Sequence, residues 1–194
     1  MVDKITPDSP FLNFPDSVPF NRSYWVIPGK LLAGCYPGSE GQAEAVRKLK
    51  SLLDQGIRHV IDLMELGEVN WNGDAFRPYA PQMRLLAEAA DVEVSFDRMA
   101  IKDTWVPSRL DMCRILDRID QYIHDHRPVY IHCWGGRGRT GTVVGCFLAR
   151  HGFATGDDIL KLIQNLRKDT KDHDKAAPET SQQIDMVLSW VEGE

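Results

Sequence analysis

The chain has 194 residues, 43% of them hydrophobic, which is enough for one substantial core. Its formal net charge of −5 argues against nucleic acid or an anionic membrane surface as the default partner, since both select basic surfaces. It does not open on a basic stretch followed by a long apolar run, and it holds no run of about eighteen uncharged apolar residues. Neither a signal peptide nor stable membrane insertion is predicted, and the expected location is cytoplasmic.

Residues 1–22 carry Pro7, Pro10, Pro15 and Pro19 and read as an irregular arm, packed down by Phe11, Leu12, Phe14 and Phe20. Residues 23–194 are expected to form a single domain. Two short apolar runs around Pro28-Gly29, in "YWVIPGKLLAGCYPG", predict a β-hairpin. Ser39, with Gln42 three residues on, predicts a capped helix carrying Ala43, Val46, Leu49, Leu52 and Leu53 and ending at Gly56. "HVIDLM" reads as a strand and residues 66–78 as a loop. A helix starts near Pro81, and "VEVSFDRMAI" alternates as a strand does. After the loop "KDTWVPS", Ser108 is the expected N-cap of a helix carrying Leu110, Ile115, Leu116, Ile119 and Ile123. "VYIHC" is the next strand, and a helix starting within "GRGRTG" runs to about Arg150. Thr155 with Asp158 opens another, and the last is expected to begin at Pro178. Strands alternate with helices and the later strands are too apolar to face water. The pattern predicts an α/β fold with a partly parallel central sheet and helices on its faces.

Four cysteines occur, Cys35, Cys113, Cys133 and Cys146, at spacings that fit neither a zinc site nor a disulfide framework. Three sit among apolar neighbours and read as small buried hydrophobes. Cys133 differs. In "HCWGGRGRTG" a buried strand ends at Cys133 and a helix begins within a few residues. Gly135, Gly136 and Gly138 let the backbone turn tightly with its N–H groups inward, a nest that binds a tetrahedral anion at a helix N-terminus. Arg139 offers a bidentate fork to two anion oxygens. The same positive surroundings favour the thiolate of Cys133, a nucleophile facing the bound phosphate. Expelling a phenolate or alkoxide needs a proton donor on a separate loop, and Asp103 in "IKDTWVPS" is the candidate. Asp97, inside a predicted strand, is second choice. Trp105 and Pro107 would give that loop an apolar lid.

These residues resemble the "HCxxGxxRTG" signature of the cysteine-dependent protein tyrosine phosphatase superfamily. "YWVIPGKLLAG", "LLDQGIRHVIDLMELGE", "IKDTWVPS" and "PVYIHCWGGRGRTGTVVGCFLAR" look like successive blocks of the small atypical dual-specificity phosphatases, a similarity over about residues 24–190. The resemblance implies the phosphatase-like layered fold, with a central, mostly parallel sheet flanked by helices. It implies a phosphomonoester hydrolase that needs no metal or other cofactor. Cys133 would be the nucleophile, forming a phosphocysteine intermediate, and Arg139 would hold the phosphoryl oxygens. Asp103 would be the general acid, and Thr140 would stabilise the thiolate as it is expelled. His132 would orient the loop rather than act as base. Trp134, Gly135, Gly136, Arg137, Gly138 and Arg139 would line the phosphate site. Gln183, or Gln182 beside it, would position the attacking water; a plain solvated helix face is the competing reading.

The implied substrate is a phosphorylated protein or phosphopeptide. Arg137 stands where many protein phosphatases carry an apolar residue, so an inositol phosphate or phosphoinositide is the alternative. A phosphate-binding module without turnover is a third reading, opposed by the intact Cys133, Arg139 and Asp103. Trp134 reads equally as a pocket wall or a core side chain. Either Asp62 or Glu65 is expected to brace Arg139. His124 and His126 read as a polar helix end, and Asp172, His173 and Asp174 as solvated residues of a charged loop.

Overall fold

A computed structural model describes residues 18–194, so the arm's Pro7, Phe11, Leu12, Phe14 and neighbours lie outside the described residues. Five strands form one sheet in the order β1-β2-β5-β3-β4. β1 (Ser23–Ile27) and β2 (Leu31–Cys35) make the predicted antiparallel hairpin, turning at Gly29 with φ +68°. β3 (His59–Asp62), β4 (Ser95–Arg98) and β5 (Val129–Cys133) join it in parallel, with β5 between β2 and β3. The mostly parallel α/β sheet expected from the sequence is therefore present.

Helices cover both faces. α1 (Gln42–Asp54) and α2 (Ala80–Ala89) bury Leu49, Leu52, Leu53 and Met83 against Trp25, Leu32, Val60 and Tyr130. α3 (Arg109–His124), α4 (Gly138–Arg150), α5 (Asp157–Leu166) and α6 (Ser181–Leu188) enclose the other face. Each fully buried leucine contributes roughly 2 kcal/mol of apolar burial. Side chains alternate along a strand, so Val129, Ile131 and Cys133 enter the α3–α6 face while Tyr130 enters the α1–α2 face. α4 is buried from Gly138 to Ala149. Its uncharged run "GTVVGCFLA" is what a helix buried all round requires. α6 crosses it so closely that a Cβ on Gly145 would stand 2.6 Å from Val187 Cγ1.

Helix starts were where local signals misled. α1 begins at Gln42 with Gly41 as N-cap, and the Ser39 hydroxyl instead donates to Glu44 at 2.7 Å. Gly156, not Thr155, caps α5; its φ of +54° turns the chain into the helix. α6 starts at Ser181 rather than Pro178, because Thr180 and Gln183 close a capping box. Ser108 caps α3 as expected, accepting from the Asp111 N–H at 3.1 Å. Ala43 is exposed, so the apolar stripe of α1 is narrower than its spacing suggested. No helix among the described residues is long and apolar enough to cross a membrane.

His59, fully buried on β3, stacks on Tyr122 at 3.5 Å and bonds Ser95 Oγ through Nδ1 at 2.7 Å. Burial pushes its pKa down from 6.5 to about 4, with the Asp97 carboxylate opposing. The unfolded chain therefore takes up this proton first. Stability is complete above about pH 6.5 and falls as pH drops toward 4. We expect a loss on the order of 3 kcal/mol across that window. Urea midpoints measured against pH should follow it, and His59→Gln should flatten the profile.

Candidate active site

The site lies where β5 ends and α4 begins. Cys133 is 3% exposed, and the Gly136 N–H points at its sulfur, donating at 3.3 Å. Gly136 sits at φ +75°, and a Cβ there would stand 2.5 Å from the Gly34 carbonyl carbon of β2. Only glycine fits both the backbone and the space. The Trp134 carbonyl accepts from Tyr36 N–H at 3.0 Å, turning the neighbouring amide the other way.

Arg139, 1% exposed in the first turn of α4, is held from behind by Glu68, which accepts Nη1–H and Nη2–H at 2.7 Å each. Nη1 also donates to the Ile101 carbonyl at 3.2 Å. Burial works most strongly against the charge, but the Glu68 hydrogen bonds together with the negative charges of Cys133, Glu68 and Asp103 raise the arginine's pKa. The opposite edge of the guanidinium is differently placed. Nε has no hydrogen-bond partner among the described residues, and Nη2 lies 3.0 Å from Asp103 Oδ1. An Nε/Nη2 edge is the geometry of a fork that grips two oxygens of one anion. The brace is thus Glu68, not Asp62 or Glu65. Asp62 is taken by Arg98 at 2.8 Å and by the Met64 N–H at 2.9 Å, while Glu65 meets Glu68 through its backbone, the N–H donating to Glu68 Oε2 at 3.1 Å and the carbonyl accepting from the Glu68 N–H at 3.3 Å.

Asp103 reaches this centre from the loop between β4 and α3. Thr104 there has φ +65°, and its carbonyl accepts from Thr180 Oγ1 at 3.2 Å. Gln183 Nε2 donates to the Trp105 carbonyl at 3.2 Å while its Oε1 accepts from the Glu179 and Thr180 N–H groups. Gln183 is fully buried and ties the Asp103 loop to the start of α6. Gln182 is exposed. Asp97, the second-choice acid, is bound instead by Arg118 at 3.0 Å.

His132 alternates with Cys133 along β5 and meets α2. Its Nε2 accepts from the Tyr79 hydroxyl at 2.6 Å, and Nδ1 faces the Cys133 carbonyl at 3.3 Å. Burial lowers the histidine's pKa and raises the tyrosine's, so the pair is neutral. His132 fixes the backbone of Cys133 from the far side of the sheet. Thr140 is fully buried, and its Oγ1 has no hydrogen-bond partner among the described residues. Trp134 is half-buried and packs with Trp71 at 5.0 Å and Phe76 at 5.5 Å. It walls a groove of about 690 Å³ that also includes Tyr36 and Arg77.

Arg137 does not reach freely into solvent. It pairs with Glu179, and its Nε lies 3.5 Å from Asp172 Oδ2. Asp172, expected to be solvated, is 9% exposed and also meets Arg22 and Arg167, while His173 and Asp174 are exposed as expected. Glu68, Arg22 and Asp172 were missed from sequence. Only Glu68 carried a signal, as one of three carboxylates from the end of β3 to residue 68.

A family model described as "Swiss Army Knife protein, DSP-PTPase phosphatase domain" matches residues 20–187. The protein tyrosine phosphatase domain-containing protein 1 of Mus musculus is 28% identical over 148 residues, 75% of this chain but 19% of that protein. The chain spans about a fifth of that relative's length. Among solved structures, kinase associated phosphatase gives a TM-score of 0.63 at 17% identity, covering 89% of this chain and 94% of its own. PTPMT1 in complex with PI(5)P gives 0.61 at 18% identity, covering 86% and 92%. TpbA of P. aeruginosa, in complex with pTyr, gives 0.55 at 16% identity, covering 93% and 96%. At these identities the structural likeness speaks to the fold.

Proposed function

Since the chain belongs to the DSP-PTPase phosphatase domain family, we propose that it hydrolyses phosphomonoesters through a phosphocysteine intermediate, on phosphotyrosine and related residues of proteins. One observation carries the reading: Glu68 grips the Nη1/Nη2 edge of Arg139 and leaves Nε unpaired, within electrostatic reach of Cys133, whose sulfur takes an inward loop amide. The phosphate of the substrate takes the loop amides and that edge, displacing Asp103 from Arg139 toward the leaving oxygen. Cys133 Sγ attacks phosphorus, an S–P bond forms and the ester P–O bond breaks, and Asp103 supplies the proton to the departing oxygen. Water then attacks the phosphocysteine, Asp103 takes its proton, and the thiolate leaves while accepting a hydrogen bond from Thr140 Oγ1. Four free thiols among the described residues support work in a reducing compartment such as the cytoplasm.

The alternative substrate, an inositol phosphate or phosphoinositide, rests on Arg137 as a second anion ligand. Its pairing with Glu179 and Asp172 supports a structural task instead. The non-catalytic module reading is disfavoured by the assembled Cys133, Arg139 and Asp103. The test is kcat/KM in excess chelator across a phosphotyrosine peptide, a phosphoserine peptide, an inositol phosphate and a phosphoinositide. The phosphotyrosine peptide should rank first, and an inositol phosphate ranking first would overturn the protein substrate. In the same assay Asp103→Asn should lower turnover of the phosphotyrosine peptide by about 10²-fold, and that of an activated nitrophenyl ester much less. Equal losses on both esters would remove Asp103 from the acid role.

A further inference from the structure

The peptide joining Gly135 to Gly136 has two ends with opposite tasks. Its N–H, on Gly136, donates to Cys133 Sγ at 3.3 Å. Its carbonyl, on Gly135, accepts from Arg22 Nη2 at 3.1 Å. Because the unit is planar and trans, holding the carbonyl outward holds the N–H inward. Glycines on both sides offer almost no steric resistance to rotation of this unit, and Gly136 already occupies positive φ. Rotated, it would aim a carbonyl at the sulfur and at any bound oxyanion. Something outside the loop must therefore fix it, and the sole hydrogen bond to that carbonyl among the described residues comes from Arg22.

Arg22 is itself held. The same Nη2 lies 3.1 Å from Asp172 Oδ2. Asp172 is anchored by the buried Arg167, whose Nη2 donates to its carbonyl at 3.0 Å and whose Nη1 donates to the Lys175 carbonyl at 2.9 Å. Lys171 N–H donates to the Asn21 carbonyl at 2.7 Å, stitching this turn to the residue before Arg22. Asp172 also draws in Arg137 from the anion loop. The turn after α5 thus grips the loop from behind at two points.

We infer that Arg22 and Asp172 are positioning residues that latch the Gly135–Gly136 peptide in the anion-binding orientation. Neither touches the substrate; they act through the amide that does. The inference rests on the proposed function for the identity of the anion, but not for the geometry of the latch. Arg22→Gln should raise the Kd for vanadate, measured by calorimetry, about tenfold to hundredfold, as expected for losing a hydrogen bond from a charged group. KM should rise because the amide holds the ground-state phosphate, and kcat should fall as well because the same N–H binds the more highly charged transition state more tightly. The Gly136 amide resonance of the ligand-free protein should shift, while the thermal midpoint stays within about 3 °C, since Arg22 is a partly exposed side chain. Arg22→Lys, which keeps the charge on a shorter and more mobile stem, should recover part of the affinity. Asp172→Asn should fall between them. A folded Arg22→Gln with wild-type vanadate affinity and an unmoved Gly136 resonance would overturn the latch. If Arg22→Gln does not fold, the same two readouts on Arg22→Lys and Asp172→Asn decide. Wild-type protein that binds vanadate yet releases no phosphate counts against the hydrolase reading alone.

Discussion

Replacing Cys133 with serine should reduce turnover by at least about 10⁴-fold while leaving oxyanion binding intact or tighter. The reason is that no base is free for a serine hydroxyl during attack, because in the first step Asp103 has to carry the proton for the leaving oxygen. His132, the adjacent candidate, points through the sheet to Tyr79 and is kept neutral by burial, with Nε2 already accepting the tyrosine proton. A thiol attacks as its thiolate, whereas a hydroxyl in the same place keeps its proton at neutral pH. Arg139 and the loop amides are untouched by the change, and a neutral oxygen repels a dianion less than a thiolate does. Phosphate release from an aryl phosphate, paired with vanadate calorimetry, checks both halves. Residual turnover within tenfold of wild type would sink the phosphocysteine mechanism.

Glu68→Gln should lower kcat/KM about 10²-fold, an effect comparable to losing a group that touches the substrate. The glutamate accepts two hydrogen bonds at 2.7 Å from a guanidinium that is 1% exposed. Removing one partner of a buried pair typically costs about 3–5 kcal/mol, and the amide retains one acceptor and part of that. What is lost is aim. With one acceptor oxygen the guanidinium can pivot, and the Asp103 carboxylate 3.0 Å away becomes its strongest remaining partner. Arginine and acid would then hold each other rather than the substrate. Combining Glu68→Gln with Asp103→Asn in a double-mutant cycle should therefore show strong coupling in kcat/KM. Additive losses would mean that Glu68 supports the fold and not the fork.

The residues legible in the sequence are those fixed by short-range rules. Cys133, the three glycines and Arg139 occupy one strand–turn–helix unit, and their placement together follows from its backbone geometry. The opposed fates of His132 and Cys133 also follow from strand alternation, since neighbours on β5 face different layers. Glu68 was not legible for a physical reason. Asp62, Glu65 and Glu68 lie within a few residues of one another from the end of β3 onward, where the chain turns irregularly and no periodicity says which carboxylate turns inward. Asp172 was hidden differently: its partner Arg22 is 150 residues away, and a charged run between helices gives no local sign of burial. Gln183 illustrates competition between readings. The spacing of Thr180 and Gln183 is a capping box, and the structure uses the glutamine to close that cap and to hold the Trp105 carbonyl.

The complete burial of α4 bears on how tightly an anion can be held. Its N-terminus is the mouth of the most enclosed helix of the fold, pressed by α6 at Gly145 and backed by the sheet. Ordering a flexible loop of six residues around a ligand would cost roughly 1–2 kcal/mol per residue at the moment of binding. Here that entropy is surrendered when the chain folds, because the loop is clamped between β2, α4 and the turn after α5. On the proposed reading, a phosphate arriving at Cys133 meets backbone dipoles already in place, and the Asp103 carboxylate on Arg139 is the one partner it has to displace.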